Sequence, residues 1–572
     1  MTPRPRTPGR HPLPAHDSDP TGSDPTDQAP RVDAGRDRAD AQHVQQARAA
    51  GGGAVRHPRH VELELGAAAH GGHVVGRTPE GRVVFVRHGA PGERVRVRLT
   101  EAGESARYWR GDAVEVLRPD PRRRPAHPWA PADAIGAWAQ GRPPVGGAEF
   151  GHLQLPLQRE LKTGVLRELL ARIGNLAPEQ IEALDPRVGP LPGEDPQGLG
   201  WRTRAHFAVD DDGRPAMHPH RSAELIPVED FPLMVEPLRR LRLGDLDWTG
   251  AARVDLIAAS AQAPLVLVTA RAMDTAAFEA LAERLRREAV PALQGPAGAG
   301  EPVRDGEAAG AGETAGVSLL LAPDPATGRR APVVLSGRDH GTEQIGARCW
   351  EVSAGGFWQI HRAAPGHLLH RVTEAARPAP GETVLDLYSG AGLLTAGLAE
   401  AVGPTGRVLA VEGSPLTSAD AAANLAELEQ VEAVRGSVEQ ILAQRWPGSV
   451  RPDPRGARSR RGPGGSRTRR GSGGRAQHDR RTPQGAGSGG TAAGRPDVVV
   501  LDPPRAGAGR TVVDAIAALE PRRVVYLSCD PATLARDLAR FRHQGWRVRS
   551  VDGMDLYPNT HHLETLAVLE RD

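Results

Sequence analysis

The period of the apolar positions changes along the chain, and each change predicts a different architecture. Residues 1–56 are polar and proline-rich with no apolar period, which predicts a disordered arm. From about 57 to 120 short alternating runs take over. Alternation at Val83–Phe85 and Val95–Arg98, with glycine pairs between, predicts a small antiparallel barrel. A Pro- and Trp-rich stretch without a period follows, over 121–155. The run "LQRELKTGVLRELLARIG" then has helical spacing, with Leu161, Val165, Leu169 and Leu170 on one side and Gly174 as its stop. The segment from about 185 to 345 reads as α+β, with a hairpin turning at Asp212-Gly213 and a Gly/Ala/Glu-rich loop at 293–315. Residues 121–345 are thus grouped as a linker helix and a central α+β region.

From about 346 strands and helices alternate. "ETVLDLYSG", "RVLAVEGS", "PDVVVLDPPR" and "RRVVYLSCD" read as buried strands. "LLTAGLAEAV", "SADAAANLAEL" and "ATLARDLARFRHQG" read as the helices among them. This is the pattern of a doubly wound parallel sheet. The expected fold class is α/β: a Rossmann-like domain over 346–572, preceded by an OB-like barrel and a central α+β region. An Arg/Gly/Ser tract at about 449–495 interrupts the last domain. It lacks the apolar residues to pack, and two readings stand: RNA binding through charge, or a tolerated insertion without a role.

Composition narrows the picture only in places. The 572 residues carry a formal net charge of +2, which does not by itself announce a nucleic-acid partner. Nearly all the positive charge is arginine, and Lys162 is the single lysine. Arginine forks suit phosphate and stacked bases, but a GC-rich coding bias explains the excess as well. Arg94, Arg96 and Arg98 share one face of the expected barrel, which is either a phosphate contact or simply solvated. Two cysteines, Cys349 and Cys529, exclude a disulfide framework and a four-thiolate metal site. A reduced, cytoplasmic setting fits. No apolar run reaches the ~18 residues of a membrane span, and the N-terminal region has no apolar signal core.

Five motifs carry chemistry. Asp386-Leu-Tyr-Ser-Gly-Ala-Gly392 joins a strand to a helix, and Gly390 and Gly392 allow close backbone approach of a ligand. Thr395 replaces the third glycine of a dinucleotide fingerprint, so a phosphate cradle is not favoured. Glu412 ends the next strand, where a carboxylate accepts the ribose hydroxyls of an adenosyl group; an exposed loop acid is the plainer reading. Asp502-Pro-Pro-Arg505 ends another strand in a stiff loop suited to framing a flat base, with Asp502 able to bond an amine. Arg505, where an aromatic would serve amino-group methylation, argues against that chemistry. Cys529 in "LSCDPATLARDL" ends the following strand on the same rim. A thiolate there can add to carbon-6 of uracil and make carbon-5 nucleophilic. The plainer reading is a buried small hydrophobe; Cys349, in "GARCWEV", lacks this setting and reads as structural. Glu564 in "YPNTHHLETLAVLE" opens the last strand as a base for the carbon-5 proton, with His561 and His562 as rivals.

Together these residues resemble the TrmA/RumA family of RNA 5-methyluridine methyltransferases, over most of 57–572. The barrel resembles a TRAM domain through "GAAAHGGHVVGR" and "GRVVFVRHGAPGERVRV". The resemblance implies a Rossmann-like methyltransferase domain that uses S-adenosylmethionine. It maps the nucleophile onto Cys529 and the base onto Glu564. It also implies cofactor contacts at Gln359 (in "GGFWQIH"), Tyr388, Gly390, Gly392, Glu412 and Asp502. Many members hold an iron–sulfur cluster after the barrel. The corresponding stretch here, "HPWAPADAIGAWAQGRPPVGGAEFGHLQL", has no cysteine, so no cluster and no other metal is expected. The expected partner is ribosomal or transfer RNA, with ribosomal RNA preferred, no membrane, and a monomeric enzyme. The competing reading is a non-catalytic RNA-binding protein on the same scaffold; Cys529, Glu564, Asp502 and Gln359 standing together argue against it.

Overall fold

The computed structural model describes residues 59–294, 316–323, 331–450 and 494–571. The N-terminal arm, most of the 293–315 loop and nearly all of the Arg/Gly/Ser tract lie outside these residues.

Five strands close the barrel: β1 (His60–Ala69), β2 (His73–Arg77), β3 (Val83–Arg87), β4 (Arg94–Glu101) and β5 (Tyr108–Arg118), in the order β1-β2-β3-β5-β4. Alternation sends Val95, Val97 and Leu99 inward, against Leu63, Leu65, Val84 and Val86. The intervening arginines face out and are spent on neighbours. Arg94 and Arg96 both reach Glu62, at 3.0 and 3.4 Å. Arg98 lies over the Trp138 ring, 4.2 Å from its centroid. The face is therefore largely self-paired.

The helix Leu155–Arg172 buries Leu161, Val165, Leu169 and Leu170 as its spacing requires. It packs in the same core as Leu385, Leu501 and Leu534 of the last domain, although the sequence groups it with the central region. The two-residue strand β6 (Val188–Gly189) follows it into the last domain's sheet.

The central region is one seven-stranded sheet, β13-β12-β11-β10-β7-β8-β9. Its strands are β7 (Arg204–Val209), β8 (Pro215–Met217), β9 (Ile226–Pro227), β10 (Ala251–Ile257), β11 (Leu265–Ala270), β12 (Ser318–Leu321) and β13 (Val333–Ser336). The β7–β8 hairpin turns through Asp212 and Gly213, where a φ of 76° requires glycine. Trp129 of the unassigned stretch packs on Phe231 at 4.8 Å and shares a core with Val145 and Ala148. A two-stranded hairpin, β14 (His340–Ile345) and β15 (Arg348–Ser353), bridges to the last domain.

The last domain has an eight-stranded sheet, β18-β17-β16-β19-β20-β22-β21-β6. Its strands are β16 (Thr383–Leu387), β17 (Arg407–Glu412), β18 (Val431–Arg435), β19 (Val498–Leu501), β20 (Arg523–Ser528), β21 (Trp546–Met554) and β22 (Glu564–Arg571). The run β18 to β20 is parallel, as expected. The expectation of a parallel sheet needs correction beyond it: β22 is antiparallel to both β20 and β21. A tight return between β21 and β22 leaves no room for a crossover helix, so the pair runs antiparallel. Before the Arg/Gly/Ser tract, the Trp446 indole donates to the Gly494 carbonyl at 3.1 Å. The described residues flanking the tract thus meet near the amino end of β19, the rim opposite Asp502.

Candidate active site

Strand alternation selects the site. Val384, Val500, Leu527 and Leu566 point into one core, and Leu385, Leu501, Tyr526 and Ala567 into the other. With a period of two, Asp386, Asp502, Cys529 and Glu564 all fall on the first face. Glu412 joins them, four residues past Val408 of that core. Register then sets their heights. The antiparallel ladder pairs Ser528 with Thr565. Continued by one residue, it sets Cys529 opposite Glu564 at the carboxyl rim of β20.

Cys529 is half-buried and immediately precedes the N-cap of the helix Pro531–His543. A helix N-terminus favours thiolate. Burial opposes it, and so do the nearby carboxylates of Glu564 and Asp502; together they push the thiol up to about 11, with Arg505 pulling the other way. Glu564 is 3% exposed, and its Oε1 has no hydrogen-bond partner. The Tyr557 hydroxyl donates to its Oε2 at 3.4 Å. Burial first, and then Asp502, hold this carboxyl well above the usual range. Asp502 itself is pushed up to about 7, by burial and then by Asp386 and Glu412.

Along the glycine turn, Glu412 is already oriented. Its two oxygens accept from the Gly390 and Ser414 amides at 2.9 and 2.7 Å. Gly390 and Gly392 both lie in the left-handed region, with φ of 56° and 91°. A Cβ on Gly390 would meet open space; one on Gly392 would strike Leu425 at 2.8 Å. Asp386 accepts from the Thr395 hydroxyl at 2.5 Å on Oδ2, while its Oδ1 is buried without a partner. Burial raises its carboxyl to about 6. The raised carboxyls of Asp386 and Asp502, a free buried acceptor and open space over Gly390 fit a ligand that carries positive charge and donors.

The open cleft at the rim is lined by Cys529, Arg505, Lys162 and His562, and by Gly71 and Gly72 from the β1–β2 turn. The barrel is thus a wall of the site. His70 approaches Asp530 at 3.6 Å, and Gly72 lies against the His561 ring. The loop before Glu564 is clamped from far away in sequence. Asn559, at φ 66° and fully buried, donates its amide to Gln158 at 2.8 Å and accepts from Gln158 and Arg124 at 3.0 and 2.9 Å. His561 bonds Glu149 through its backbone amide at 3.0 Å and through its ring. His562 is driven down to about 3 by burial and the neighbouring His561, which makes it a poor base.

Of the residues singled out in the sequence, Cys529, Glu564, Asp502, Glu412 and the two glycines come together on this rim. Tyr388 does not send its ring there: at φ 67° it turns to the opposite core, beside Leu387 and Tyr526. Gln359 sits in the loop after β15 and is fixed through its backbone carbonyl, which accepts from the Thr203 hydroxyl at 3.5 Å. Sequence reasoning passed over Asp386 as a functional group, though an acid inside the apolar run "VLDL" was a signal. Tyr557 and Asn559 lie in the motif "YPNTHHLETLAVLE" but were not singled out within it, and Gln158 carried no signal.

Comparison with known proteins places the chain among its relatives. Residues 495–572 match the tRNA (uracil-5-)-methyltransferase family model, 59–114 the TRAM domain, and 359–445 the protein-L-isoaspartate(D-aspartate) O-methyltransferase model. The chain is 34% identical over 512 residues to an RNA methyltransferase of Streptomyces avermitilis, covering 89% of this chain and 98% of that protein. A 23S rRNA (uracil(1939)-C(5))-methyltransferase of Chromohalobacter salexigens is 29% identical, with 89% of each chain covered. The crystal structure of a Pyrococcus abyssi tRNA (uracil-54, C5)-methyltransferase with S-adenosyl-L-homocysteine shares the fold, at a TM-score of 0.54 and 17% identity, over 89% of this chain and 100% of that one. With a TRAM barrel walling the cleft and near full-length likeness to RNA methyltransferases, the chain belongs to the TrmA/RumA family of RNA 5-methyluridine methyltransferases.

Proposed function

We propose that the protein methylates carbon-5 of a uridine in RNA through a covalent adduct on Cys529. The observation that carries this reading is the ladder register, which opposes a half-buried thiol and a buried carboxyl on the face that also bears Asp386, Glu412 and Asp502. Cys529 sulfur bonds carbon-6 of the uracil, and the pair of the 5,6 double bond moves to carbon-5. The thiol proton leaves to solvent through the open cleft that Cys529 lines, so Glu564 is kept as the carboxylate for the later step. S-adenosylmethionine, when bound, supplies the methyl group that carbon-5 takes; Glu412, Asp386, the Gly390 backbone and Asp502 are the residues that would hold it. Glu564, as carboxylate, removes the carbon-5 proton; the double bond re-forms and the thiolate leaves. Tyr557 orients the carboxylate through its hydroxyl.

The β1–β2 turn beside Cys529 favours a target strand held by the barrel, with the uridine unstacked so that both ring carbons are reached. Likeness to the 23S rRNA enzyme favours ribosomal RNA as the substrate. The test is incubation with S-adenosylmethionine and unmodified ribosomal or transfer RNA, followed by digestion and mass spectrometry of the nucleosides. The expected result is 5-methyluridine from ribosomal RNA. Methyl on another base, or no product from either RNA, contradicts the proposal; product from transfer RNA alone contradicts the substrate.

A further inference from the structure

Among 72 lysine and arginine residues one is lysine, and it lies at the site rather than on the surface. Lys162 is 2% exposed and borders the cleft that holds Cys529. Its ammonium donates to Asp555 Oδ1 at 2.6 Å and to the Tyr557 carbonyl at 3.2 Å. Asp555 is fully buried. Lys162 and Gln158 are four residues apart, so one helix face holds both ends of the segment 555–559: Asp555 through Lys162, Asn559 through Gln158. That segment carries Tyr557, whose hydroxyl reaches Glu564.

The residue type follows from the space. A guanidinium has five donors in a planar fork against an ammonium's three, and Lys162 meets one carboxylate oxygen and one carbonyl, with the second Asp555 oxygen buried without a hydrogen-bond partner. Arginine would leave buried donors unpaired or push the segment outward. A composition that replaces lysine with arginine everywhere else therefore stops at a pocket shaped for a compact cation. Arg159 takes the neighbouring role toward Glu194, and stands 3.9 Å from the other Asp555 oxygen, too far to substitute.

We propose that Lys162 is a positioning residue for proton removal: through Asp555 and Tyr557 it sets the Glu564 carboxyl against the carbon-5 proton. This rests on the covalent mechanism proposed above. If Lys162 acts on the base step, a variant lacking it still forms the sulfur–carbon-6 bond and transfers the methyl group, and then stalls. The methylated adduct retains its carbon-5 proton, and protein stays bonded to ordinary, unfluorinated RNA.

The experiment uses the full chain with substrate RNA and S-adenosylmethionine, resolved on denaturing gels. Lys162→Met and Asp555→Asn remove the same pair from its two sides, and Lys162→Arg tests the shape argument. Activity is counted per molecule that binds S-adenosylmethionine, which corrects for misfolded protein. We expect turnover at least ~100-fold below wild type in all three, with the KM for RNA within about threefold. A denaturation-resistant adduct should accumulate on ordinary RNA, and Cys529→Ala in the same background should abolish it. Wild-type turnover per competent molecule, or lost turnover without accumulated adduct in both Lys162→Met and Asp555→Asn, overturns the proposal. Wild-type enzyme and 5-fluorouridine RNA run alongside: an adduct there with none in the variants sinks only the role of Lys162, whereas no adduct there sinks the covalent mechanism itself.

Discussion

The two sides of the catalytic rim are built by different means. The cofactor side, from Asp386 to Glu412, is local. A strand, a glycine turn and the next strand place Gly390 against Glu412 within 22 residues of chain. Its devices are short-range: left-handed glycines, an amide on a carboxylate, a threonine hydroxyl on an aspartate nine residues away. The base side, from Asp555 to Glu564, is held by partners hundreds of residues away, with Gln158 and Asn559 separated by 401. There the devices are side chains: the buried Gln158, Lys162 and Glu149, and the half-buried Arg124. A local site needs only its own turn to form; a remote one forms only when the barrel, the linker helix and the sheet have all docked.

The largest expected effect is on the remote side. Asn559→Ala removes the side-chain bonds to Gln158, Arg124 and the Gln197 and Gly198 carbonyls, and places alanine at φ 66°. We expect a loss of about 2–4 kcal/mol in thermal or denaturant unfolding, with turnover falling much more than S-adenosylmethionine affinity in the molecules that fold. An equal fall in both would erase the distinction. On the local side, Gly392→Ala forces a Cβ to 2.8 Å from Leu425 in a left-handed conformation, costing roughly 1–3 kcal/mol. Here calorimetry should show S-adenosylmethionine affinity falling.

The raised carboxyls give a pH-dependent contrast. Asp502 binds a proton up to about pH 7 in the folded protein, against an ordinary value of 3.8. The folded state therefore holds more protons than the unfolded one between these limits, and stability falls as pH rises through about 4 to 7. Asp502→Asn should flatten that slope and stabilise the free protein by roughly 1–3 kcal/mol at pH 8, while weakening S-adenosylmethionine binding. The smallest effect is expected at the barrel. Arg96→Ala breaks exposed pairs with Glu62 and Glu115 and should change stability by about 1 kcal/mol or less; a larger change would show that the barrel face is more than a solvated ion-pair ladder.

The same contrast explains what the sequence made legible. Glycines before a helix, an acid at a strand end and a cysteine on the same rim are short-range signals, and the alternation that aims Asp386, Asp502, Cys529 and Glu564 to one face is written in the strands themselves. The antiparallel turn of β22 was not legible, because buried strands have the same apolar run in either direction. Nor was the membership of the helix Leu155–Arg172 in the catalytic core, since an amphipathic pattern says that a face is covered and not by what. Lys162 stood out as the single lysine, but its role depends on Asp555, 393 residues away. Tyr388 shows the converse: its place in the glycine turn is legible, whereas the direction of its ring follows from φ 67°.

The central claim is that Cys529 and Glu564 act as nucleophile and base across one ladder pair. The most direct measurement uses RNA containing 5-fluorouridine and S-adenosylmethionine. Fluorine at carbon-5 cannot leave as a proton, so the sulfur–carbon-6 bond should be trapped. The account predicts a denaturation-resistant adduct whose peptide mass places methylated fluorouridine on Cys529, absent in Cys529→Ala. An adduct at the exposed Cys349, or methyl transfer that persists in Cys529→Ala, would contradict it.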